Sequence, residues 1–352
     1  MKNLWKFLKE AKREGLEKAA GYYLAIKSIC DERGYDSISL KDVDGKEWSR
    51  KDVEKWFCNA FYETVYEKLR EINAQDYSRE EQKILRFIIE YLESILLASP
   101  KRLELITKVM NNINISSNFR KKIMSVFNYT HHRKNKLIDL AKILNIKSCP
   151  YCNMHYTLYA EKKKRKKYDK LAKFQFDHFF DKSTYPMLSM SLYNLIPSCS
   201  ICNNSKSTTR LSLSYNPYYS DISKRFKFKL KDPISLYEGQ RITDIIDIDI
   251  VATDSSRKNE LDDYIRTFNL NTLYQRHGDL AQEIFDKAYE YPYYSNSDNF
   301  KFLNGCSSKY LKRLWMGTYI DEKDIHRRPM TKFMQDLWEQ AIGHKKELIK
   351  LS

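Results

Sequence analysis

Hydrophobic residues recur at helical spacing in the first part of the chain. Two runs return every three or four residues, as on one face of a helix: Val53, Trp56, Phe57, Phe61, Val65 and Leu69, then Ile84, Leu85, Ile88, Leu92 and Ile95. Each run follows a capping-box pair, a serine with an acidic residue three positions later: Ser49 with Asp52, and Ser78 with Glu81. Ser99-Pro100 starts a third helix. We therefore predict helices through residues 1–148, including 116–128 and 136–146.

Short alternating runs appear after residue 148. Residues 225–231 alternate strictly, which places Phe226, Phe228 and Leu230 on one face, and residues 246–250 alternate isoleucine with aspartate. This alternation predicts a strand pair. The lysines of the first strand would face Asp247 and Asp249 in a cross-strand charge ladder, although they would also suit phosphate binding. Helical spacing resumes in four segments, 258–268, 272–290, 307–317 and 331–348.

Composition narrows the class of protein. Hydrophobic residues make up 42% of the 352 positions and charged residues 31%, as in globular proteins rather than disordered ones. Only nine glycines are present, and so few turn residues argue against an all-β fold. No apolar run reaches the ~18 residues of a membrane span, and charges interrupt the first ten residues, unlike a signal peptide. We expect a cytoplasmic protein with no membrane partner.

The positive charge is concentrated in one part of the sequence. The chain has 62 basic and 46 acidic residues, a net charge of +16, and residues 101–210 alone carry 22 basic and 6 acidic ones. A local basic block is typical of proteins that bind nucleic acid. The alternative is a basic surface exposed only to solvent.

Four of the seven cysteines form two CxxC pairs. An odd number of cysteines without a signal peptide does not indicate a disulfide framework. Two thiolates separated by two residues reach one metal from a tight turn, and two such pairs complete the tetrahedral shell of structural zinc. The sequence therefore predicts one zinc ion held by Cys149, Cys152, Cys199 and Cys202. His155 is an alternative ligand that this full shell makes less favoured.

The segment between the cysteine pairs contains Asp177-His178 and Asn194, and Asn203 follows the last cysteine. With both CxxC pairs, this combination over residues 149–210 resembles the HNH endonuclease family, whose site is a β-hairpin followed by a helix, the ββα-metal fold. Histidine titrates near neutral pH and suits a general base, while Asp and Asn oxygens suit a Mg²⁺-like ion. The resemblance implies that His178 is the base, that Asp177 and Asn203 bind catalytic Mg²⁺ or Mn²⁺, and that Asn194 positions His178.

A lysine-rich run lies between the flanks 156–160 and 174–177. These flanks resemble the two strands of the nuclease hairpin, so the run is expected at the hairpin tip. Nucleic-acid contacts are expected from the run and, secondarily, from two residues of the predicted helix after Asn203: Lys162, Lys163, Lys164, Arg165, Lys166 and Lys167, then Lys206 and Arg210. The alternative for the run is a solvated loop.

Longer segments are similar to one subset of the family, the bacterial HNH proteins of Septu-like and retron-linked anti-phage systems. They are 149–153, 177–183, 185–188, 192–198 and 324–332. The resemblance implies an ATPase partner, because that subset often works beside one and this chain has no GxxxxGK[ST] motif.

The expected fold is α+β and mainly helical. It comprises a helical region 1–148, a zinc-containing HNH core 149–215 and a C-terminal region 216–352 with a strand pair and helices. The expected function is metal-dependent hydrolysis of nucleic acid, DNA more than RNA, as the effector of an anti-phage system. The alternatives are an RNA-cleaving effector, such as one that cuts tRNA, a non-catalytic zinc module that binds nucleic acid, and an adaptor protein.

Overall fold

The structure is a computed structural model that describes residues 40–164, 167–233, 246–296 and 307–351. Helices predominate there and the strands form small two-stranded sheets, so the chain is α+β and mainly helical, as predicted. No helix in these ranges combines the length and apolar character needed to cross a bilayer.

The chain divides into two compact units, each built from three segments. Unit 1 comprises Met1–Asn145, Tyr159–Pro197 and Ser207–Tyr219, and unit 2 comprises Ile146–Leu158, Ser198–Lys206 and Ser220–Ser352. The three regions expected from the sequence, 1–148, 149–215 and 216–352, have other boundaries than these two units. They stay a prediction.

Unit 1 is a helical assembly with short strand pairs. Its helices are α1 (Arg50–Arg70), α2 (Arg79–Glu90), α3 (Leu92–Leu96), α4 (Pro100–Met110), α5 (Ser117–Phe127), α6 (Tyr129–Arg133) and α7 (Lys136–Leu144). Its strands are β1 (Leu40–Lys41), β2 (Glu47–Trp48), β3 (Tyr159–Lys164), β4 (Lys167–Ala172), β5 (Gln175–His178) and β6 (Leu195–Ser198), the last residue of which belongs to unit 2. The sheets pair β1 with β2, β3 with β4, and β5 with β6.

The helix starts of unit 1 follow the sequence signals. Both capping boxes form, at Ser49 and at Ser78, and α4 begins at Pro100. The inward residues of α1 are buried except Trp56, which is half-buried. The second hydrophobic run is two helices rather than one, because the chain leaves helical geometry at Tyr91 between α2 and α3.

The lysine-rich run belongs to a different hairpin from the one expected. Strands β3 and β4 pair antiparallel from Tyr159–Ala172 to Lys164–Lys167, so the run lies largely on strands. The segment that ends in Asp177-His178 pairs instead with β6. The expectation that 156–160 pairs with 174–177 was therefore wrong. A two-residue connection is the commonest hairpin loop, and it favours the local β3–β4 pair over the longer closure.

Unit 2 combines one strand pair with helices. Its elements are α8 (Ser200–Lys206), β7 (Phe226–Leu230), β8 (Ile248–Ala252), α9 (Lys258–Phe268), α10 (Leu270–Tyr274), α11 (Gly278–Asn296), α12 (Ser308–Met316) and α13 (Thr331–Leu351). The segment predicted as a helix over 272–290 is interrupted between α10 and α11. There the Gln275 carbonyl accepts the backbone N–H of Ile246, 2.9 Å away, instead of extending a helix.

The strand pair of unit 2 confirms the alternating pattern. β7 buries Phe226, Phe228 and Leu230 and pairs antiparallel with β8, which starts two residues later than predicted. Lys231, just after β7, places its Nζ 2.9 Å from Asp247 and 3.7 Å from Asp249, whereas Lys227 Nζ lies 2.6 Å from Glu339 of α13, so the predicted charge pairing is seen at Lys231. On its other edge β7 meets α13, where the Phe228 N–H donates to Asp336 Oδ2 at 2.9 Å.

Two adjacent histidines, His131 and His132, lie near the end of α6. His132 is buried against the Phe61 ring, 5.1 Å between centroids, and neither of its ring nitrogens has a hydrogen-bond partner among the described residues. Burial, with nearby positive charge from His131, Lys136 and Lys68, lowers the pKa of His132 to about 4. The native protein therefore holds this imidazole neutral.

The low pKa of His132 makes stability dependent on pH. Between pH ~6.5 and ~4 the unfolded chain binds a proton at this position that the native state does not. The free energy of unfolding is therefore expected to fall by up to about 3 kcal/mol as the pH drops through this window. Urea unfolding at a series of pH values measures it. His132→Leu should flatten the profile and His131→Ala, at an exposed position, should not; equal slopes in all three proteins contradict the assignment.

Candidate active site and metal cluster

Four buried cysteines of unit 2 form a cluster that can hold a metal ion. The sulfur atoms of Cys149, Cys152, Cys199 and Cys202 all lie within 4.8 Å of one another, and each residue is buried. Burial raises the pKa of the Cys149 thiol, so four thiolates are stable together only with a cation between them. A buried set of four sulfur ligands is the preference of structural zinc.

Each cysteine pair lies in a tight turn whose backbone supports the sulfur atoms. The N–H of Met154 points to Cys152 Sγ and that of Cys202 to Cys199 Sγ, both at 3.4 Å. The carbonyl of Cys149 accepts the Asn153 N–H at 2.7 Å. Such N–H groups stabilise negative charge on sulfur, so the turns are prepared for thiolates.

Asn153 links the first cysteine pair to a segment far along the chain. It adopts a left-handed backbone conformation, with φ of 50°, and is completely buried. Its Nδ2 donates to Ser148 Oγ at 2.8 Å and to the Ile325 carbonyl at 3.0 Å, while its Oδ1 accepts the Lys332 N–H at 2.9 Å. Its side chain thus makes three buried hydrogen bonds, a role that no pattern in the sequence indicated.

Two buried tyrosines hold the carbonyl groups of the same turn. The Tyr264 hydroxyl donates to the Tyr151 carbonyl, and the Tyr274 hydroxyl donates to the Cys152 carbonyl. Burial raises the pKa of both phenols well above its ordinary value, so they remain neutral donors. Both lie in segments that the sequence predicted as helical, 258–268 and 272–290, but nothing in the sequence marked them as partners of the cysteine turn.

His155 lies beside the cluster rather than within it. Its Nδ1 is 3.6 Å from Cys152 Sγ, and the sulfur atoms of Cys152 and Cys199 raise its pKa to about 10. Because four sulfurs already complete a tetrahedral shell, the geometry suits a cationic hydrogen-bond partner of a thiolate better than a fifth ligand.

In unit 1, Asp177 and His178 end strand β5 and are both buried. His178 Nε2 lies 2.9 Å from the Ser189 carbonyl oxygen. A carbonyl only accepts, so Nε2 carries the proton and the neutral ring has its basic nitrogen at Nδ1. The His178 ring meets the Tyr129 ring edge-on at 4.5 Å, and the Tyr129 hydroxyl donates to the Phe176 carbonyl at 3.0 Å.

Asn194 fastens the loop between β5 and β6. Its Oδ1 accepts the Phe180 N–H at 2.7 Å, and its Nδ2 donates to the carbonyls of Phe180 and Leu188, at 3.0 and 2.9 Å. Its own carbonyl accepts the Phe179 N–H at 3.0 Å. These bonds hold both ends of the loop that supplies the Ser189 carbonyl to His178.

Truncating Asn194 is therefore expected to destabilise unit 1. Asn194→Ala leaves three buried backbone groups without partners, and each costs about 1–3 kcal/mol. Urea unfolding should show a loss of several kcal/mol while zinc content stays unchanged. Asn112→Ala, which removes a single exposed bond to the Lys108 carbonyl, is the matched control and should stay within about 0.5 kcal/mol of the parent. If Asn194→Ala matches the parent, the loop does not depend on this residue.

Two residues that the sequence did not single out lie around His178. Besides Tyr129, Lys182 places its Nζ 4.4 Å from the centre of the Tyr129 ring. Burial and the charge of Arg133 lower the pKa of Lys182, and the charges of Asp181 and Asp177 oppose that effect. A lysine five residues after Asp177 was visible in the sequence, but its position over an aromatic ring was not.

The basic residues expected to contact nucleic acid occupy different kinds of position in the structure. Lys162 and Lys163 lie exposed on β3, and Lys164 and Lys167 are strand positions, while Arg165 and Lys166 are outside the described residues. Lys206 is completely buried, so its expected surface role does not fit the structure. Arg210 lies beyond the helix, which ends at Lys206, and is 3.9 Å from Glu104.

Asn203 lies on α8, which begins two residues after β6 ends. It is half-buried, and its N–H donates to the Cys199 carbonyl at 3.0 Å. The order along the chain is thus strand β5, strand β6, helix α8, with Asp177 and His178 on the first and Asn203 on the last. Comparisons with protein-family models, with curated proteins and with solved structures find no match to this chain.

Proposed function

We propose that this protein is a metal-dependent endonuclease that hydrolyses phosphodiester bonds of nucleic acid, DNA more than RNA. The observation that carries the proposal is the arrangement of His178, whose Nε2 donates to the Ser189 carbonyl at the end of a strand that also bears Asp177. The strand–strand–helix order of β5, β6 and α8 agrees with the HNH resemblance of the sequence.

His178 acts as the general base. Hydrogen bonding to a carbonyl fixes the tautomer with the proton on Nε2, so that Nδ1 takes the proton of the attacking water. The Tyr129 ring and the Ser189 carbonyl hold the imidazole in one orientation. This support removes the need to orient the base during the reaction.

Asp177 is the proposed metal ligand, because its carboxylate is buried on the strand that also carries His178. A buried carboxylate is a hard oxygen ligand, which suits Mg²⁺ or Mn²⁺. When bound, such an ion supplies positive charge to the phosphate and to the departing oxygen. Asn203, the second ligand by resemblance, enters the proposal on that basis alone. The cysteine cluster holds the structural zinc of the proposal, because four thiolates leave no open position for water.

The proposed setting is an anti-phage system with an ATPase partner, as the resemblance of the sequence implies. A second candidate function is a zinc module that binds nucleic acid without cutting it. It is favoured by the concentration of the whole +16 net charge in residues 101–210, because binding requires this charge and no catalytic base.

Incubation of the purified chain with nucleic acids tests the proposal. Linear double-stranded DNA, single-stranded DNA and total RNA are each mixed with the protein in Mg²⁺, in Mn²⁺ and without added divalent ion. We expect fragments with 5′-phosphate and 3′-hydroxyl ends, formed only with a divalent ion. Substrates that are bound but remain intact under every condition would support the binding module instead.

A further inference from the structure

We propose that a pocket in the helical part of unit 1 binds a phosphate of the nucleic-acid strand that His178 cuts. This inference rests on the proposed function and adds a substrate subsite to it. It gives helices α5 and α6, for which the sequence showed no motif, a role in holding the strand.

The pocket has a volume of about 510 Å³ and lies along α5. One wall consists of the outward side chains of this helix, among them Ser117, Arg120 and Lys121, and the other wall includes Lys182 and Ser183. Three cations therefore face the pocket, and among the described residues its lining includes no carboxylate. The size falls within the range of small-ligand sites, about 300–1,000 Å³.

The three cations are not held in salt bridges in the part of the chain that the structure describes. Within residues 40–164, 167–233, 246–296 and 307–351, none of Arg120, Lys121 and Lys182 forms an ion pair. Other basic residues of the same unit do: Lys108 with Glu104, Lys142 with Asp44, and Lys170 with Asp139. Arg120 only donates weakly to the carbonyls of Ile115 and Thr184, at 3.4 and 3.5 Å. An anion in the pocket would therefore meet three cations that no salt bridge among the described residues occupies, although Asp181 and Asp177 lie near enough to act on the charge of Lys182.

Tyr129 connects the pocket with His178. Lys182 Nζ and the His178 ring lie 4.4 and 4.5 Å from the centre of the Tyr129 ring, so they are at most the sum of the two, 8.9 Å, apart. Tyr129 also lines the pocket. A duplex strand carries one phosphate per about 3.4 Å of helix axis, so a separation of at most 8.9 Å is short enough for nearby phosphates of one strand. One strand can thus place one phosphate at His178 and a neighbouring phosphate in the pocket.

Binding of a labelled oligonucleotide tests this subsite without any cleavage. Fluorescence anisotropy with a single-stranded DNA oligomer, with no divalent ion added, is measured over a range of salt concentrations. Arg120→Gln/Lys121→Gln should weaken binding several-fold and flatten the log–log salt dependence by about 0.7 for each phosphate that the variant no longer neutralises. Lys182→Gln should also weaken binding and flatten its salt dependence.

The matched control removes two charges elsewhere in the unit. Lys51 and Lys55 are exposed on α1, and Lys51→Gln/Lys55→Gln should leave affinity and salt slope close to the parent's. Equal weakening in both double variants means that only overall charge matters and overturns the subsite. Thermal unfolding of each variant shows whether the fold is intact.

Three further outcomes separate this inference from others. Deoxyadenosine monophosphate is added as a competitor. If it binds in the pocket while Arg120→Gln/Lys121→Gln binds the oligonucleotide as tightly as the parent, the pocket binds free nucleotides. The proposal that it holds a phosphate of a nucleic-acid strand is then wrong. If the chain cuts nothing but the double variant loses oligonucleotide binding, the subsite stands and the nuclease proposal fails. If the chain cuts DNA and the double variant binds and cuts like the parent, the subsite fails alone.

Discussion

Replacing His178 by alanine is expected to reduce cleavage by about 10²–10⁴-fold, the usual contribution of a general base. The physical reason is the fixed tautomer: the Ser189 carbonyl holds the proton on Nε2, which leaves Nδ1 as the nitrogen that accepts a proton from water. Oligonucleotide affinity should change little, because the imidazole contributes no net charge to phosphate binding when it is neutral. Single-turnover cleavage and anisotropy measure the two effects separately.

The His178 variant needs a structural control, since the side chain is buried. Thermal unfolding of His178→Ala should show a folded protein, and added imidazole should restore part of the activity by replacing the lost base. His131→Ala removes an exposed histidine of the same unit and should cut at the parent rate. A His178→Ala protein that cuts as fast as the parent would remove the catalytic assignment and favour the binding module.

Removing the zinc is expected to unfold unit 2. The four sulfurs lie within 4.8 Å of one another in a buried site, where unneutralised thiolates repel and are poorly solvated. Zinc-finger peptides gain about 10–16 kcal/mol of apparent free energy from zinc at neutral pH, which exceeds the stability of most domains. Cys199→Ser/Cys202→Ser should therefore lower zinc content from about one ion per chain to none and abolish the cooperative unfolding of this unit.

A cysteine outside the cluster serves as the control. Cys58 is half-buried on α1, and burial raises the pKa of its thiol to about 11, so it is not a thiolate at neutral pH. Cys58→Ser should retain zinc and unfold like the parent. Because the ligands must lose protons, zinc affinity should also fall as the pH is lowered. Full zinc content in the double cysteine variant, or normal unfolding without zinc, contradicts the assignment.

The structural features that the sequence predicted correctly depend on residues that are close together in the chain. Capping boxes at Ser49 and Ser78 involve groups three positions apart, and both form. The two CxxC pairs likewise imply their tight turns, and the structure brings the four sulfurs together. In each case the physical cause, a hydrogen bond or a shared metal, lies within or between short motifs that can be recognised directly.

The sequence did not predict which segments pair over longer distances. Strand β5 had two possible partners, and alternation alone does not distinguish them. Lysines are depleted in strands, which made the run in β3 resemble a loop, although the structure pairs it with β4. The burial of Lys206 and the bonds from Tyr264 and Tyr274 to the cysteine turn depend on tertiary packing that no local pattern encodes.

The bonds of Asn153 also set an order of events during synthesis. Its Nδ2 and Oδ1 meet partners 172 and 179 residues later in the chain. At about 5–20 residues per second, a ribosome makes Lys332 roughly 10–35 s after Asn153. Until then, the first cysteine turn lacks two of the three groups that bond the side chain of its asparagine. A nascent chain therefore completes the hydrogen bonds of this turn only after residues 325–332 are made, and under the proposed function a nuclease whose zinc site is completed so late would be kept from acting on the genome of the cell that makes it.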